Sequence, residues 1–534
     1  MLYGRSTEAS IGRRPADLNL NGMTEPDVLI VGAGPTGLAL AVQFVRCGVD
    51  FRIIDTKETT TPYSRAIGVQ ARTLEIYDQI GLADKLVSLG HRAEKAKFLK
   101  GGVVLGEANL SDLGVGQSPY PFVLLVEQGL HEELLYGHLK GKGHDVLWQH
   151  ELLSLTDDGD AVTAEVSGTD GTVFPIKAKY LVGCDGAKSL VRHKLGLTFE
   201  GDTVERLFYV ADIELEWPHG HDALQVNLGE NTLTAFFPLK GENRWRIVGT
   251  FPEGHNKDEA AVPYEEIEEQ IERDMGVKLD IKKVNWFSVY NVHSRSVNSF
   301  SKGRCFVAGD AAHIHTPAGA QGMNTGIQDG YNLAWKFALV LNGYADEKLL
   351  ATYNEERLVN AKKLLKTTDR FFEFAASEEW LIAFVRNNIF PYVFDTALKF
   401  DFVKNELFAT VSQIGISYSD ESLSSDTGNF RVNAGDRMPW FKIGGRSIYD
   451  DLKEPRFHLL AFGADGAACE EMSAKLEAKW QDEIILRSLP LADEVKRAFG
   501  NEGPFLALLR PDNYIGFLSD DLSAKTLKEY LKRY

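Results

Sequence analysis

The chain has 534 residues, of which 44% are hydrophobic and 25% are charged. A single core seldom grows much beyond about 250–300 residues, so two or three domains are expected. The 76 acidic residues outnumber the 58 basic ones and give a net charge of −18, which argues against nucleic acid and anionic membranes as partners. No apolar run approaches the roughly 18 residues of a membrane helix. The four cysteines lack C-x-x-C spacing, so we expect core thiols in a reducing cytoplasm.

Residues 1–25 are polar and lack the hydrophobic segment of a secretory signal. We predict that they form a disordered leader or tag outside the folded domains.

The first motif is an apolar, strand-like run at 28–31 that leads into Gly32-Ala33-Gly34-Pro35-Thr36-Gly37 and then a helical pattern. In a G-x-G-x-x-G turn the three glycines permit the turn, a close approach of the backbone to a pyrophosphate, and tight packing of helix on strand. A second strand at 51–54 ends at Asp55, about 20 residues further on, where an acid is placed to bond a ribose hydroxyl. The sequence therefore predicts a dinucleotide site.

The next segments alternate between helical and β patterns. A helix is predicted over 72–81, short β-rich runs over 96–126, and a small antiparallel sheet over 146–178 with turns at 157–159 and 170–171. A strand at 180–183 then enters Asp185-Gly186, with a helix at 189–195. Together these elements predict a first part of the nucleotide-binding domain at 26–200.

Strands rich in β-branched and aromatic residues follow at 208–213, 223–228, 232–239 and 244–251, and predict a second sheet inserted at 201–285. A buried strand then ends at Gly309-Asp310, and a glycine-rich bend at 317–324 precedes a helix; these predict the second part of the first domain at 286–375. Residues 376–429 are predicted to be a phenylalanine-rich helical segment and a serine-rich linker. An alternating αβ pattern predicts a last domain at 430–534.

Three separated stretches carry a family resemblance: the turn at Gly32, Asp185-Gly186 with Arg192, and Gly309-Asp310 with the bend up to Asn324. Together they resemble the single-component flavin-dependent aromatic hydroxylases, the group that contains para-hydroxybenzoate, phenol and pentachlorophenol hydroxylases. The implied fold is α/β, with a Rossmann-like FAD-binding domain, an inserted antiparallel substrate sheet and a C-terminal thioredoxin-like domain. The last domain carries no cysteine pair, so a packing or dimerisation role is predicted for it, which makes a homodimer possible.

The resemblance implies a set of FAD contacts along the cofactor. The first glycine turn would hold the FAD pyrophosphate, and Asp55 would bond the adenosine ribose. Asp310 would bond the ribityl hydroxyls, and the bend before the helix would present N–H groups to the flavin pyrimidine edge. Asp185 belongs to a motif that is linked to both FAD and the nicotinamide cofactor. The implied cofactor-binding residues are Gly32, Gly34, Pro35, Thr36, Gly37, Asp55, Arg65, Gln128, Asp185, Gly309, Asp310, Pro317, Gly322, Met323 and Asn324. Relatives often have glycine where Ala320 stands, a change we expect to be tolerated if the backbone there is not left-handed.

Tyr209, Phe236 and Phe237 are candidates to line a substrate pocket, although aromatic residues in a sheet are more often core. His313 and His315 are interpreted as structural hydrogen-bonding residues, so no side chain is assigned as catalytic, and no metal site is predicted. The implied activity uses NADPH or NADH and O2 to hydroxylate a phenolic or polyketide-like aromatic compound through a C4a-hydroperoxyflavin. Two alternatives stay open: a flavin-dependent halogenase, although no Trp-x-Trp pair is present, and a flavin-binding carrier or regulator without turnover.

Overall fold

The structure is a computed structural model that describes residues 25–62, 66–217, 219–229, 232–252, 255, 262–316, 320–376, 385, 389–466, 472 and 474–534. Residues 1–24 of the predicted leader, Arg65 and Pro317 lie outside these ranges. Within them, every helix is too short or too polar to cross a lipid bilayer.

A six-stranded sheet organises the first domain. Its strands are parallel except for one edge hairpin. In spatial order they are Ser301–Lys302, Cys305–Val307, Tyr180–Gly183, Val28–Val31, Phe51–Asp55 and Leu147–Trp148. All residues of the strand Val28–Val31 are buried, as expected for a central parallel strand covered on both faces.

Helices pack against this parallel sheet. Pro35–Cys47 packs along Gly322–Leu341, where Gly330 leaves room for Leu40 of the facing helix. The other helices of this domain are Ala71–Asp78, Ala83–Leu89, Gln128–Gly141, Leu190–Leu195 and Ala351–Ala376.

Two small sheets complete the first domain. The antiparallel sheet predicted over 146–178 consists of Glu151–Asp157, Val162–Ser167 and Val173–Ala178. A three-stranded sheet joins Gly68–Val69, Val123–Leu125 and His91–Ala93.

The large, mostly antiparallel sheet has eight strands and extends beyond the predicted insert at 201–285. Its long hairpin pairs Phe199–Glu216 with Asp280–Val297, and strands from earlier and later in the chain join its edges. In spatial order the strands are His313–Ile314, Asp280–Val297, Phe199–Glu216, Arg244–Thr250, Leu233–Pro238, Leu224–Leu228, Lys95–Lys100 and Val103–Asn109. The helix Tyr264–Met275 packs on one face and closes a core around Trp245 and Ile267.

The last domain contains a mixed sheet of five strands. Phe457–Phe462 lies parallel to Ile484–Leu489 and antiparallel to Phe505–Leu509, which in turn is antiparallel to Ile515–Ser519. This arrangement is compatible with the expected thioredoxin-like domain. The remaining elements are the strands Ser425–Thr427, Lys442–Ile443 and Arg446–Ser447 and the helices Phe390–Ala397, Asp401–Val411, Ala478–Gln481, Asp493–Phe499 and Ala524–Leu531.

The segment predicted as a linker is part of this fold. Its strand Ser425–Thr427 pairs in parallel with the edge strand of the C-terminal sheet, and Tyr418 and Leu423 are buried. The serine-rich composition correctly indicates a polar surface, but these two apolar anchors fix the segment in place. Residues 417–429, the serine-rich part that was predicted as a linker, are therefore packed on the C-terminal domain.

Candidate active site

The glycine turn has the shape that a dinucleotide pyrophosphate needs. A Cβ on Gly32 would stand 2.3 Å from the Cys184 carbonyl oxygen, and a Cβ on Gly37 would stand 1.9 Å from the Gly32 carbonyl oxygen. A Cβ on Gly34, in contrast, would meet nothing within 4 Å. The turn is therefore packed tightly on the protein side and open at Gly34, where the helix that starts at Pro35 presents its first N–H groups.

Asp55 lies beside this turn at the end of the second strand. Its carboxylate accepts the Ala33 N–H at 2.6 Å and the Lys57 N–H at 2.8 Å, and the residue is only 8% exposed. These bonds tie the two neighbouring strand ends together. Contact of Asp55 with a ribose stays a prediction.

Gln128 and Glu132 secure the segment that follows Asp55. The Gln128 side chain accepts the Ala66 N–H at 3.2 Å and donates to Glu132 at 2.8 Å. Glu132, which is fully buried, also accepts the Thr61 N–H at 2.8 Å and lies 3.6 Å from the Lys57 ammonium group. Sequence reasoning missed Glu132; its signal was an acid on the apolar face of the helix Gln128–Gly141.

Asp185 caps the helix that follows its motif. It accepts hydrogen bonds from the Ser189 hydroxyl at 2.5 Å and the Val191 N–H at 3.1 Å. Burial raises the pKa of Asp185 against the opposing effect of these hydrogen bonds. The neighbouring Arg192 donates to the Ala311 carbonyl at 3.1 Å and so joins the Asp185-Gly186 stretch to the Gly309-Asp310 stretch.

The Gly309–Ala311 turn begins directly after a buried strand and carries Asp310 on its exposed side. Gly309 has φ +60°, and a Cβ there would lie 2.3 Å from the Thr36 hydroxyl. Thr36 thus packs against the turn, and the structure brings the first and third motifs together. Asp310 is exposed at this junction, beside the strand ends across which a dinucleotide cofactor would lie.

Asn324 connects the bend to the rest of the domain. Its amide donates to the Gly68 and Ala320 carbonyls, each at 2.9 Å, and accepts from Gln70 N–H at 2.9 Å and the Thr73 hydroxyl at 2.7 Å. These bonds occupy the side chain, so only the Asn324 main chain is left for a cofactor. The first-turn N–H groups of the helix that starts at Gly322, with Met323 next, point out of its N-terminus.

Ala320 departs from expectation, whereas His315 has the predicted hydrogen-bonding role at one ring nitrogen, Nδ1, which lies 2.8 Å from the Thr316 carbonyl oxygen. Ala320 has φ +52°, so the condition under which alanine was expected to be tolerated is not met, and the residue is strained. The His315 Nε2 atom is buried without a hydrogen-bond partner among the described residues, 3.2 Å from where a Cβ of Gly322 would stand. Burial lowers the pKa of His315 to about 4, so its ring is neutral at pH 7.

The three candidate substrate residues lie on different faces of the large sheet. Tyr209 and Phe236 are completely buried in the core against the helix Tyr264–Met275, and the Tyr209 hydroxyl bonds to Thr234 at 2.8 Å. They support the sheet and do not face open space. Phe237 points the other way, is partly exposed, and packs beside Ile67 of the first domain.

These features fit FAD. The open position at Gly34, the exposed Asp310 and two helix N-termini lie along the carboxyl ends of parallel strands, where nucleotide cofactors bind in such sheets. The His315 Nε2 atom beside Gly322, which has no hydrogen-bond partner in the part of the chain that the structure describes, adds a buried polar atom near this helix N-terminus. The fold and the site define a dinucleotide-binding flavoprotein.

Comparisons with known proteins agree. Residues 25–368 match the family model described as FAD binding domain. The 6-methylpretetramide 4-monooxygenase of Streptomyces rimosus is 34% identical over 95% of this chain and 93% of that protein. The pentachlorophenol 4-monooxygenase of Sphingobium chlorophenolicum is 30% identical over 91% and 93%, respectively.

Solved structures show the same architecture. The aromatic hydroxylase CabE from angucycline biosynthesis has a TM-score of 0.77 and 30% identity, with 96% of this chain and 99% of that chain covered. The OxyS anhydrotetracycline hydroxylase from Streptomyces rimosus has a TM-score of 0.75 and 28% identity, with the same coverage. The chain belongs to the FAD binding domain family and is an FAD-dependent, NAD(P)H-using aromatic monooxygenase. The similarity to these monooxygenases supports the hydroxylase interpretation over the halogenase alternative.

Proposed function

We propose that the chain hydroxylates a phenolic or polyketide-like aromatic substrate on the side of the large sheet that faces the first domain. The observation that carries this proposal is a row of partly exposed apolar side chains across adjacent strands. Val226 pairs with Ala235, which pairs with Val248, and the next row contains Phe237. A flat apolar surface of this kind suits planar aromatic rings.

An aromatic cluster covers one end of this face. The Phe98 ring lies 5.3 Å from Phe390 and 5.5 Å from Phe394, and Val226 packs with them. These contacts bring the phenylalanine-rich helix Phe390–Ala397 over the edge of the row. Its side chains would exclude water from an aromatic substrate bound there.

The charge nearest to Phe237 is already paired. Arg246 lies opposite Phe237 on the neighbouring strand and makes two 2.6 Å bonds to the Asp212 carboxylate. Its remaining terminal nitrogen donates to the Ala66 carbonyl at 3.1 Å. Because Arg246 is engaged in this way, a neutral or phenolic ring is favoured over a carboxylated one.

FAD, when bound, supplies the redox chemistry of hydride acceptance from NAD(P)H and activation of O2. The residues of the chain would hold and orient FAD. The N–H groups near Gly34 would bind its pyrophosphate, and Asp310 would bind its ribityl chain. The helix N-terminus at Gly322 would lie at the pyrimidine edge, where the helix dipole favours negative charge. Apolar side chains around the substrate would keep water from the reacting ring.

Stopped-flow flavin absorbance tests the proposal. We expect NADPH or NADH to reduce the bound flavin faster in the presence of one member of a panel of phenols and fused-ring aromatics, with transfer of one oxygen atom to that compound. Phe237→Ala should raise the KM for this compound, whereas Tyr209→Phe should leave KM unchanged because Tyr209 lies on the other face. A flavin that no nicotinamide and no aromatic compound affects would favour the carrier alternative.

We also propose that the last domain forms a contact between two copies of the chain, so that the protein is a homodimer. Light scattering after gel filtration gives the mass in solution, and a monomer at micromolar concentration would contradict it.

A further inference from the structure

One carboxylate holds the Gly309–Ala311 turn from its buried side. Asp329, fully buried on the helix Gly322–Leu341, accepts the Gly309 N–H at 2.9 Å, and the same oxygen lies 2.8 Å from His313 Nε2. Gly309 is in the left-handed region. The conformation of the turn that carries Asp310 therefore depends on where the Asp329 carboxylate sits.

Arg357 fixes that carboxylate. Its Nε donates to the other Asp329 oxygen at 2.6 Å, and Nη2 donates to the Thr325 carbonyl at 3.1 Å. Neither charged side chain has any exposed surface. Burial by itself would raise the pKa of Asp329, but the Arg357 charge and the hydrogen bonds from His313 and Gly309 outweigh it and lower the pKa, so the carboxylate stays ionised.

The last partner of Arg357 comes from outside the FAD-binding domain. Arg357 Nη1 donates to the Tyr418 hydroxyl at 2.7 Å, and Tyr418 lies beyond residues 25–368, the part that matches the family model. The Tyr418 ring packs 4.6 Å from the Tyr514 ring, and its main chain bonds to the Gly435 carbonyl at 2.8 Å. Tyr418 is thus anchored in the C-terminal domain.

We infer that the C-terminal domain positions the FAD-binding turn through Tyr418, by way of Arg357 and Asp329. Tyr418 is a positioning residue: it has no place at the flavin itself, and it acts by fixing the guanidinium that fixes the carboxylate. Without its hydroxyl, one buried Arg357 N–H loses its acceptor, and the guanidinium shifts to regain one. This inference rests on the flavin site and is independent of the proposed substrate.

Adjacent residues on one helix explain how the two domains are coupled. Glu356, next to Arg357, forms an ion pair with Arg510 of the C-terminal domain, and both are fully buried. On the helix Ala351–Ala376, Glu356 is therefore held directly by the C-terminal domain. The next residue, Arg357, links Tyr418 to Asp329, the carboxylate that holds the turn.

The test compares Tyr418→Phe with Tyr514→Phe. Both changes remove one buried hydroxyl from the same pair of contacting rings, but the Tyr514 hydroxyl has no hydrogen-bond partner among the described residues. Titration of the apoprotein with FAD, followed by flavin fluorescence, gives the dissociation constant without nicotinamide or substrate. We expect Tyr418→Phe to weaken FAD binding about 3- to 10-fold, which is less than the full cost of a lost hydrogen bond to a charged group, because the loss reaches the turn only through Arg357 and Asp329. Tyr514→Phe should leave FAD binding unchanged.

Thermal midpoints of the two apoproteins separate positioning from simple stability. A Tyr418→Phe protein with a lowered midpoint but wild-type FAD affinity and flavin spectrum would overturn the inference. Asp329→Asn, which alters the carboxylate that contacts Gly309, should weaken FAD binding more than Tyr418→Phe does. Equal effects of the two tyrosine variants on FAD affinity would also overturn it, because only the Tyr418 hydroxyl accepts a hydrogen bond from Arg357.

Discussion

Alanine at Gly34 and alanine at Gly37 should separate cofactor binding from folding. At Gly37 the new Cβ would stand 1.9 Å from the Gly32 carbonyl oxygen, more than 1 Å inside the 3.0 Å below which something must shift. The contacted atom is backbone, which cannot rotate away, so we expect a loss of about 1–3 kcal/mol in the free energy of unfolding or more. At Gly34 the Cβ meets no protein atom and the φ of −81° suits alanine, so the apoprotein should be as stable as wild type or gain about 0.5 kcal/mol.

Gly34→Ala should weaken FAD binding although it leaves the apoprotein stable. The Cβ at Gly34 occupies the open position where the pyrophosphate would approach the backbone, so we expect at least a tenfold weaker FAD complex, which corresponds to about 1.4 kcal/mol. Fluorescence titration with FAD and denaturant unfolding of the apoprotein measure the two quantities on the same samples.

A control and a refuting result follow from the same geometry. Gly137→Ala, in the middle of the helix Gln128–Gly141 where a Cβ also meets nothing, should stabilise the protein by about 0.5–1 kcal/mol and leave FAD binding unchanged. If Gly34→Ala binds FAD as wild type does, the turn does not hold the pyrophosphate.

Two further changes test the packing around the site. Gly68→Ala should lower the free energy of unfolding by about 1–3 kcal/mol, because its Cβ would stand 2.5 Å from the Ala320 Cβ. Adding Ala320→Gly should recover most of that loss, since it removes the contact and relieves the left-handed φ of +52°. Additive effects of the two changes in a double-mutant cycle would contradict this. Burial opposes ionisation of Glu356, but Arg510 and Lys336 lower its pKa to about 2, below the ordinary value of 4.5. Its contribution to stability is therefore fully present above pH 4.5 and is lost as the pH falls towards 2. Glu356→Gln should lower the free energy of unfolding by about 3–5 kcal/mol at pH 7, because it leaves buried cations unbalanced. It should also flatten the acid side of the curve of thermal midpoint against pH. An unchanged acid side would show that Glu356 is not the titrating group.

The motifs could be found from the sequence because each depends on a local rule. A strand, a glycine at a left-handed or crowded position and a helix start lie within a few residues of one another at Gly32, Asp185 and Gly309. Their order along parallel strands then brings them to one edge of the sheet without further information. The family resemblance, the FAD cofactor and the monooxygenase class follow from this combination, and the comparisons confirm them.

The faces of the large sheet could not be assigned in this way. Alternation along a strand shows that Phe236 and Phe237 point to opposite sides, but it does not show which side meets the helix Tyr264–Met275 and which meets the first domain. That choice depends on how the layers stack. Tyr209 and Phe236 were therefore plausible substrate contacts from the sequence, and the structure places both in a closed core.

The sequence by itself determined the dinucleotide site, because glycine geometry and strand-to-helix turns are encoded in short stretches. It determined the FAD cofactor and the class of reaction through the resemblance that these motifs carry together. Tertiary structure alone decided which side chains support those turns. Asp329, Arg357 and Tyr418 lie up to 109 residues from Gly309 in the chain, and a buried charge finds its partners through packing, not through spacing. The serine-rich segment at 417–429 shows the same limit: its composition is typical of a linker, and only the folded chain reveals that its buried Tyr418 accepts a hydrogen bond from Arg357.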